Sequence, residues 1–110
     1  MGIVLLGLVP VAPAAGGAAA GKGIYTALCV RCHGKTGRGD GPDGTLLATK
    51  PRNFTDCARM QALSDQESVT VITEGGAARH LSKDMPPWGT ALHEQQIADL
   101  VAYLRSFCAQ

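Results

Sequence analysis

Aromatic side chains are scarce: the chain has one Trp, two Tyr and two Phe in 110 residues. Tyr25, Phe54, Trp88, Tyr103 and Phe107 would make a thin core by themselves, which leaves room for a large apolar body that is not a side chain. An excess of either charge is also missing. Ten Lys and Arg stand against nine Asp and Glu, giving a formal net charge of +1, with no basic run or stripe. That balance argues against nucleic acid as a partner. Residues 1–21 carry no charged side chain at all, so everything able to face water as an ion lies from Lys22 onward. What remains is enough for one small domain, which hides only roughly 60–65% of its unfolded surface.

A long hydrophobic run is absent as well. The apolar stretch 2–9 is broken by Pro10 and Pro13 and is too short to cross a bilayer, so no transmembrane segment is expected in the mature chain. Followed by the small residues 14–20, it suits the apolar and cleavage regions of a secretory signal, although no Lys or Arg follows Met1. The expectation is a signal peptide over 1–20, cleavage near Ala20, a domain over 21–110, and a periplasmic or otherwise exported protein.

Four cysteines are present, at 29, 32, 57 and 108. Cys29-Val30-Arg31-Cys32-His33 is the C-x-x-C-H pattern of covalent c-type haem attachment. Two thiols three positions apart on a helical turn can each add to one haem vinyl group, while the adjacent imidazole is carried under the iron. The pattern has two rivals, a thioredoxin-like dithiol and half of a zinc site. The first expects a βαβ setting that this Gly-rich chain does not offer. The second needs another ligand pair, and Cys57 and Cys108 form no second knuckle. A single C-x-x-C-H means one haem.

A sixth iron ligand must come from elsewhere. Met85 lies in Lys83-Asp84-Met85-Pro86-Pro87-Trp88-Gly89, where two prolines stiffen the loop that would press a thioether onto iron. Met60 lacks such rigid surroundings and reads as a core methionine. His80 reads as a solvated loop residue and His93 as a helix cap.

In these pieces the chain resembles the class I c-type cytochromes, from about Gly21 to the end. The likeness rests on Gly21-x-x-Ile24-Tyr25 ahead of Cys29-x-x-Cys32-His33, on Gly37-x-Gly39-Asp40-Gly41-Pro42, on Met85-Pro86-Pro87-Trp88, and on Leu100-Val101-Ala102-Tyr103-Leu104. It implies an all-α, cytochrome c-like fold: three to four helices around one covalently bound haem c, with long Gly/Pro-rich loops. It further implies axial ligation by His33 and Met85 and service as a one-electron carrier rather than an enzyme. It also implies that the Pro42 carbonyl accepts a hydrogen bond from the other nitrogen of His33. The short interval from His33 to Met85 suits a compact bacterial version. Cys57 and Cys108 depart from the general pattern.

Helices are expected over 21–31, from Ser64 to the glycines at 75 and 76, and from His93 to the C-terminus. Ser64 with Glu67, and His93 with Gln96, have the spacing of capping boxes. Ile97, Leu100, Val101, Leu104 and Phe107 form an apolar stripe of helical period. By family likeness the first and last helices cross at Gly21 against Tyr103. Residues 34–53, rich in Gly and Pro, are expected to be mostly loop wrapped on one haem edge.

Arg52, Lys50 and Trp88 are candidates for the haem propionates, Arg52 first among them. Cys57 and Cys108 either pair in an oxidising compartment or remain a buried and a terminal thiol. The functional expectation is an exported carrier in a respiratory or dehydrogenase-linked chain, meeting redox partners through a small transient surface or docked on a dehydrogenase or oxidase subunit. The rival is a haem enzyme or gas sensor with a labile distal ligand. It lacks a distal acid or base in the sequence.

Overall fold

The computed structural model describes residues 2–4, 7 and 17–109. Most of the expected signal segment therefore lies outside the described residues. Residues 17–20, inside the expected signal segment, are helical or cap a helix. Helix α1 (Ala18–Leu28) begins behind Gly17, whose N–H donates to Asp99 Oδ1 at 2.7 Å. Asp99 is buried on the last helix and also accepts from Gln95 Nε2 at 2.8 Å. Cleavage near Ala20 would remove the first turn of α1 and one partner of that buried carboxylate.

The helix expected over 21–31 is two. It breaks at Cys29, and α2 (Val30–His33) ends at Gly34 with φ 84°. A short α3 (Cys57–Ala62), not foreseen, starts under Asp56, whose carboxylate accepts from the Arg59 N–H at 3.3 Å. Helix α4 (Asp65–Glu74) starts where Ser64 Oγ accepts from the Glu67 N–H at 3.1 Å, and it stops at Gly75 with φ 84°. Helix α5 (Glu94–Ser106) carries the full capping box: the Gln96 N–H donates to His93 Nδ1 at 3.4 Å, and the His93 N–H donates to Gln96 Oε1 at 3.0 Å. Two 3-10 turns (Gly44–Leu46 and Ala77–Arg79) punctuate the loops. The fold is all-α, with no strand among the described residues. The two short helices raise the number above the three to four expected.

The core forms where α1 crosses α5. A Cβ on Gly21 would run into the Asp99 carbonyl and come within 2.9 Å of Tyr103 Cβ, so only hydrogen lets the two backbones meet. From α5, Ile97, Leu100, Val101 and Leu104 are buried, as their spacing predicts. Tyr25 packs against Tyr103 and Phe107 at ring distances of 5.1 and 5.5 Å. Arg105 ties the α3–α4 connection to α5, donating to the carbonyls of Met60 and Leu63 and pairing with Asp65 at 2.8 Å. Cys57 and Cys108 are joined in a disulfide with Cα atoms 5.6 Å apart, linking α3 to the end of α5. No described helix is long and apolar enough to cross a membrane.

Candidate haem-binding site

One wall of the site is the turn from Cys29 to His33. Cys29 and Cys32 are half-buried free thiols, while the other two cysteines are taken by the disulfide. Burial, and then the charge of Cys32, push the Cys29 thiol up to about 11, so in the bare chain it is a protonated thiol at neutral pH. The His33 ring lies 4.6 Å from the Phe54 ring at 23° between planes, and its Nδ1 is 3.3 Å from the Arg52 carbonyl. With Nδ1 donating to a carbonyl, Nε2 keeps the lone pair a metal would use. Burial holds the imidazole below the ordinary His range, in the neutral form that ligates.

The partner carbonyl of His33 is thus Arg52, not Pro42 as the family likeness implies. Pro42 is exposed, and its carbonyl accepts from Thr45 Oγ1 at 3.1 Å, closing its own turn. Segment 51–54 takes its place because the Phe54 N–H donates to the Gly37 carbonyl at 2.7 Å, which draws that segment alongside the loop after α2.

The other wall is the loop after α4. The Gly76 N–H donates to the Met85 carbonyl at 2.9 Å, and the Trp88 and Gly89 N–H groups donate to the carbonyls of Ile72 and Thr73 at 2.8 and 3.0 Å. These bonds sew the Met85-Pro86-Pro87-Trp88 loop to the end of α4 and present Met85 and Trp88 to the interior. Met60 is buried in the core and lines no part of this space. His80 sits on an exposed turn with φ 58°, and His93 caps α5.

Between the walls is a cavity of about 840 Å³ lined by Cys29, Cys32, His33 and Met85. That volume is within the roughly 300–1,000 Å³ of cofactor sites. Lys50, Arg52 and Trp88 line it too, as do Arg59 and Arg79, which the sequence reading missed. Asp56 and Arg59 have the spacing of a helix N-cap and its N3 residue, a local signal for α3 but not for the direction of the Arg59 side chain. Desolvation, then the neighbouring Arg59, lowers the Arg52 guanidinium below its ordinary value, although it stays cationic. Such crowded cations suit carboxylates at the mouth. Lys50 Nζ itself donates to the Thr45 carbonyl at 2.9 Å.

A large flat ring with two acidic tails fits this space: paired thiols and an imidazole on one side, a thioether on the other, cations at the edge. A zinc site does not. Among the described residues no three His, Cys, Asp or Glu side chains converge as a metal set.

The family model described as cytochrome c matches residues 18–107. Cytochrome c-554(547) of Halothiobacillus neapolitanus is 32% identical over 90 residues, which cover 82% of this chain and 96% of that protein. Similar solved structures include the following two. One is a chain of the Kuenenia stuttgartiensis reducing HAO-like protein complex Kustc0457/Kustc0458, with TM-score 0.67 and 32% identity. The match covers 81% of this chain and 41% of that one. The other is the KustC0563 c-type cytochrome, with TM-score 0.65 and 27% identity over 80% of this chain and 96% of that one. This chain therefore belongs to the cytochrome c family, as a small electron-transfer protein with one covalently bound haem c.

Proposed function

We propose that the protein is an exported one-electron carrier of a respiratory or dehydrogenase-linked chain, with haem bonded to Cys29 and Cys32 and ligated by His33 and Met85. The observation that carries this reading is that His33 and Met85, from separate segments, line one cavity together with both free thiols. Haem supplies an iron centre that gains and loses a single electron. The residues do the rest. His33 is oriented by the Arg52 carbonyl, Met85 is held by a loop bonded to α4, and Arg52, Lys50 and Trp88, which line the same cavity, would hold the propionates.

With His33 and Met85 both as ligands the iron would have no open position for a gas or peroxide, and a His/Met pair would favour a higher potential than two imidazoles. No residue is assigned to bond chemistry on a substrate. Redox proteins are the partners, met through a small transient surface or through docking on a dehydrogenase or oxidase subunit. The solved relative named as part of a reducing HAO-like complex supports a partner of that redox kind.

The test is an absorption spectrum of the purified, reduced protein, with alkaline pyridine to report thioether-linked haem. The expected result is a low-spin spectrum with two saturated vinyl positions that carbon monoxide at neutral pH leaves unchanged. Rapid, tight carbon monoxide binding would instead favour the enzyme or gas-sensor reading. A colourless, well-folded protein from a host able to attach haem would overturn both.

A further inference from the structure

His33 is gripped twice by one short segment. The Arg52 carbonyl meets its Nδ1 edge, and two residues later the Phe54 ring lies against its face. An imidazole has two soft torsions, and the carbonyl alone leaves rotation about the line through Nδ1 open; a flat ring on the face closes it. Phe54 is itself fixed. It is buried, its N–H donates to Gly37, and it packs against Phe107, nearly parallel at 14° with ring centres 6.1 Å apart. Phe107 in turn rests on Gly37, where φ is 77° and a Cβ would come within 3.0 Å of the ring.

The disulfide sits at both ends of this stack. Cys57 follows Phe54 by three residues and Cys108 is next to Phe107, so the bond joins the segment carrying one ring to the residue beside the other. Without it, the ring of Phe107, the residue that follows α5, would be held by packing alone.

We propose that Phe54 is a positioning residue that sets the plane of the His33 imidazole over the haem, and that the Cys57–Cys108 disulfide is the clasp that keeps Phe107 packed against it. The ligand's plane fixes how its orbitals meet those of the iron. The stack therefore tunes the electronic state and potential of the centre through the ligand, beyond whatever Phe54 does as part of the cavity lining. This inference rests on the reading of His33 as an axial ligand.

The experiment uses the haem-loaded protein. Ferric EPR g values and the spread of haem-methyl NMR shifts report the imidazole plane, and a redox titration reports the potential. Phe54→Leu, which keeps apolar bulk but not the flat face, is expected to move the g values and methyl spread. It should also change the ferric-to-ferrous ratio at a fixed ambient potential by roughly two- to tenfold, as the worth of one aromatic pair implies. Phe54→Tyr should restore all three signals, and reduction of the disulfide in the wild type should move them the same way by less. A purely structural Phe54 would lower the melting temperature and leave the g values in place, and that outcome overturns the proposal. If Phe54→Leu fails to mature, the disulfide-reduced wild type decides: unchanged g values and methyl shifts overturn it. A wild type whose ferric spectrum lacks a His/Met signature would sink the ligand assignment itself, a result distinguishable from either.

Discussion

Tyr25 donates its buried hydroxyl to the Gly34 carbonyl at 2.5 Å, joining the middle of α1 to the residue that ends the haem-attachment turn. The bond fixes where α2 stops, and so where His33 is delivered. Removing it in Tyr25→Phe leaves the Gly34 carbonyl with the Gly37 N–H, 3.1 Å away, as its remaining donor, at a cost of about 0.5–1.5 kcal/mol. Burial raises the phenol above its ordinary value, with smaller help from the charge of Cys29. A raised acid in the folded state adds stability that is present below the unfolded value near 10 and is lost as pH climbs beyond it. Denaturant melts should therefore show the wild type ahead of Tyr25→Phe at pH 7, with the gap closing above about pH 10.

Met85→Ala tests the distal ligand. The variant should keep its covalent haem, lose the far-red sulfur-to-iron absorption band, and show a lower potential because the thioether no longer favours Fe(II). Retention of the band would reassign the ligand, with Met60 the remaining thioether of the folded domain. His33→Ala should go further and reduce the yield of haem-loaded protein.

The disulfide makes a prediction about mass. Unfolding without reductant and alkylating should add nothing at Cys57 and Cys108; two labelled thiols would refute the pairing. Replacing both by Ser opens a loop closed across 51 residues, which should cost roughly 4 kcal/mol in the chain-entropy account.

Much of this site was legible because its signals are local. The spacing of Cys29, Cys32 and His33, the prolines after Met85, and the caps at Ser64 and His93 each specify a neighbour a few residues away. What escaped depends on long-range pairing. The choice between the Pro42 and Arg52 carbonyls follows from the Phe54 N–H bond to Gly37, and no short-range pattern encodes it. The stacking of Phe54 on His33 is likewise invisible to local pattern, because it requires two loops to meet. The start of α1 shows the same limit. Nothing near Gly17 says that a carboxylate at position 99 will receive its N–H.

Two glycines of α1 should respond to the same substitution with opposite sign. A Cβ at Gly21 has nowhere to go, since it meets backbone of α5 and Tyr103 Cβ rather than the tip of a flexible side chain. Gly21→Ala must push the helices apart, spoiling the packing of Tyr25 on Tyr103 beside the haem cavity, and should cost at least about 1–3 kcal/mol. Gly23, two positions on, is exposed on the same helix with nothing within 4 Å of a built Cβ. There Ala removes only backbone freedom from the unfolded chain, so Gly23→Ala should stabilise the protein by about 0.5–1 kcal/mol. Thermal melts of the two variants beside the wild type would settle it. Equal effects would mean that the α1–α5 crossing tolerates a wider approach than its geometry allows.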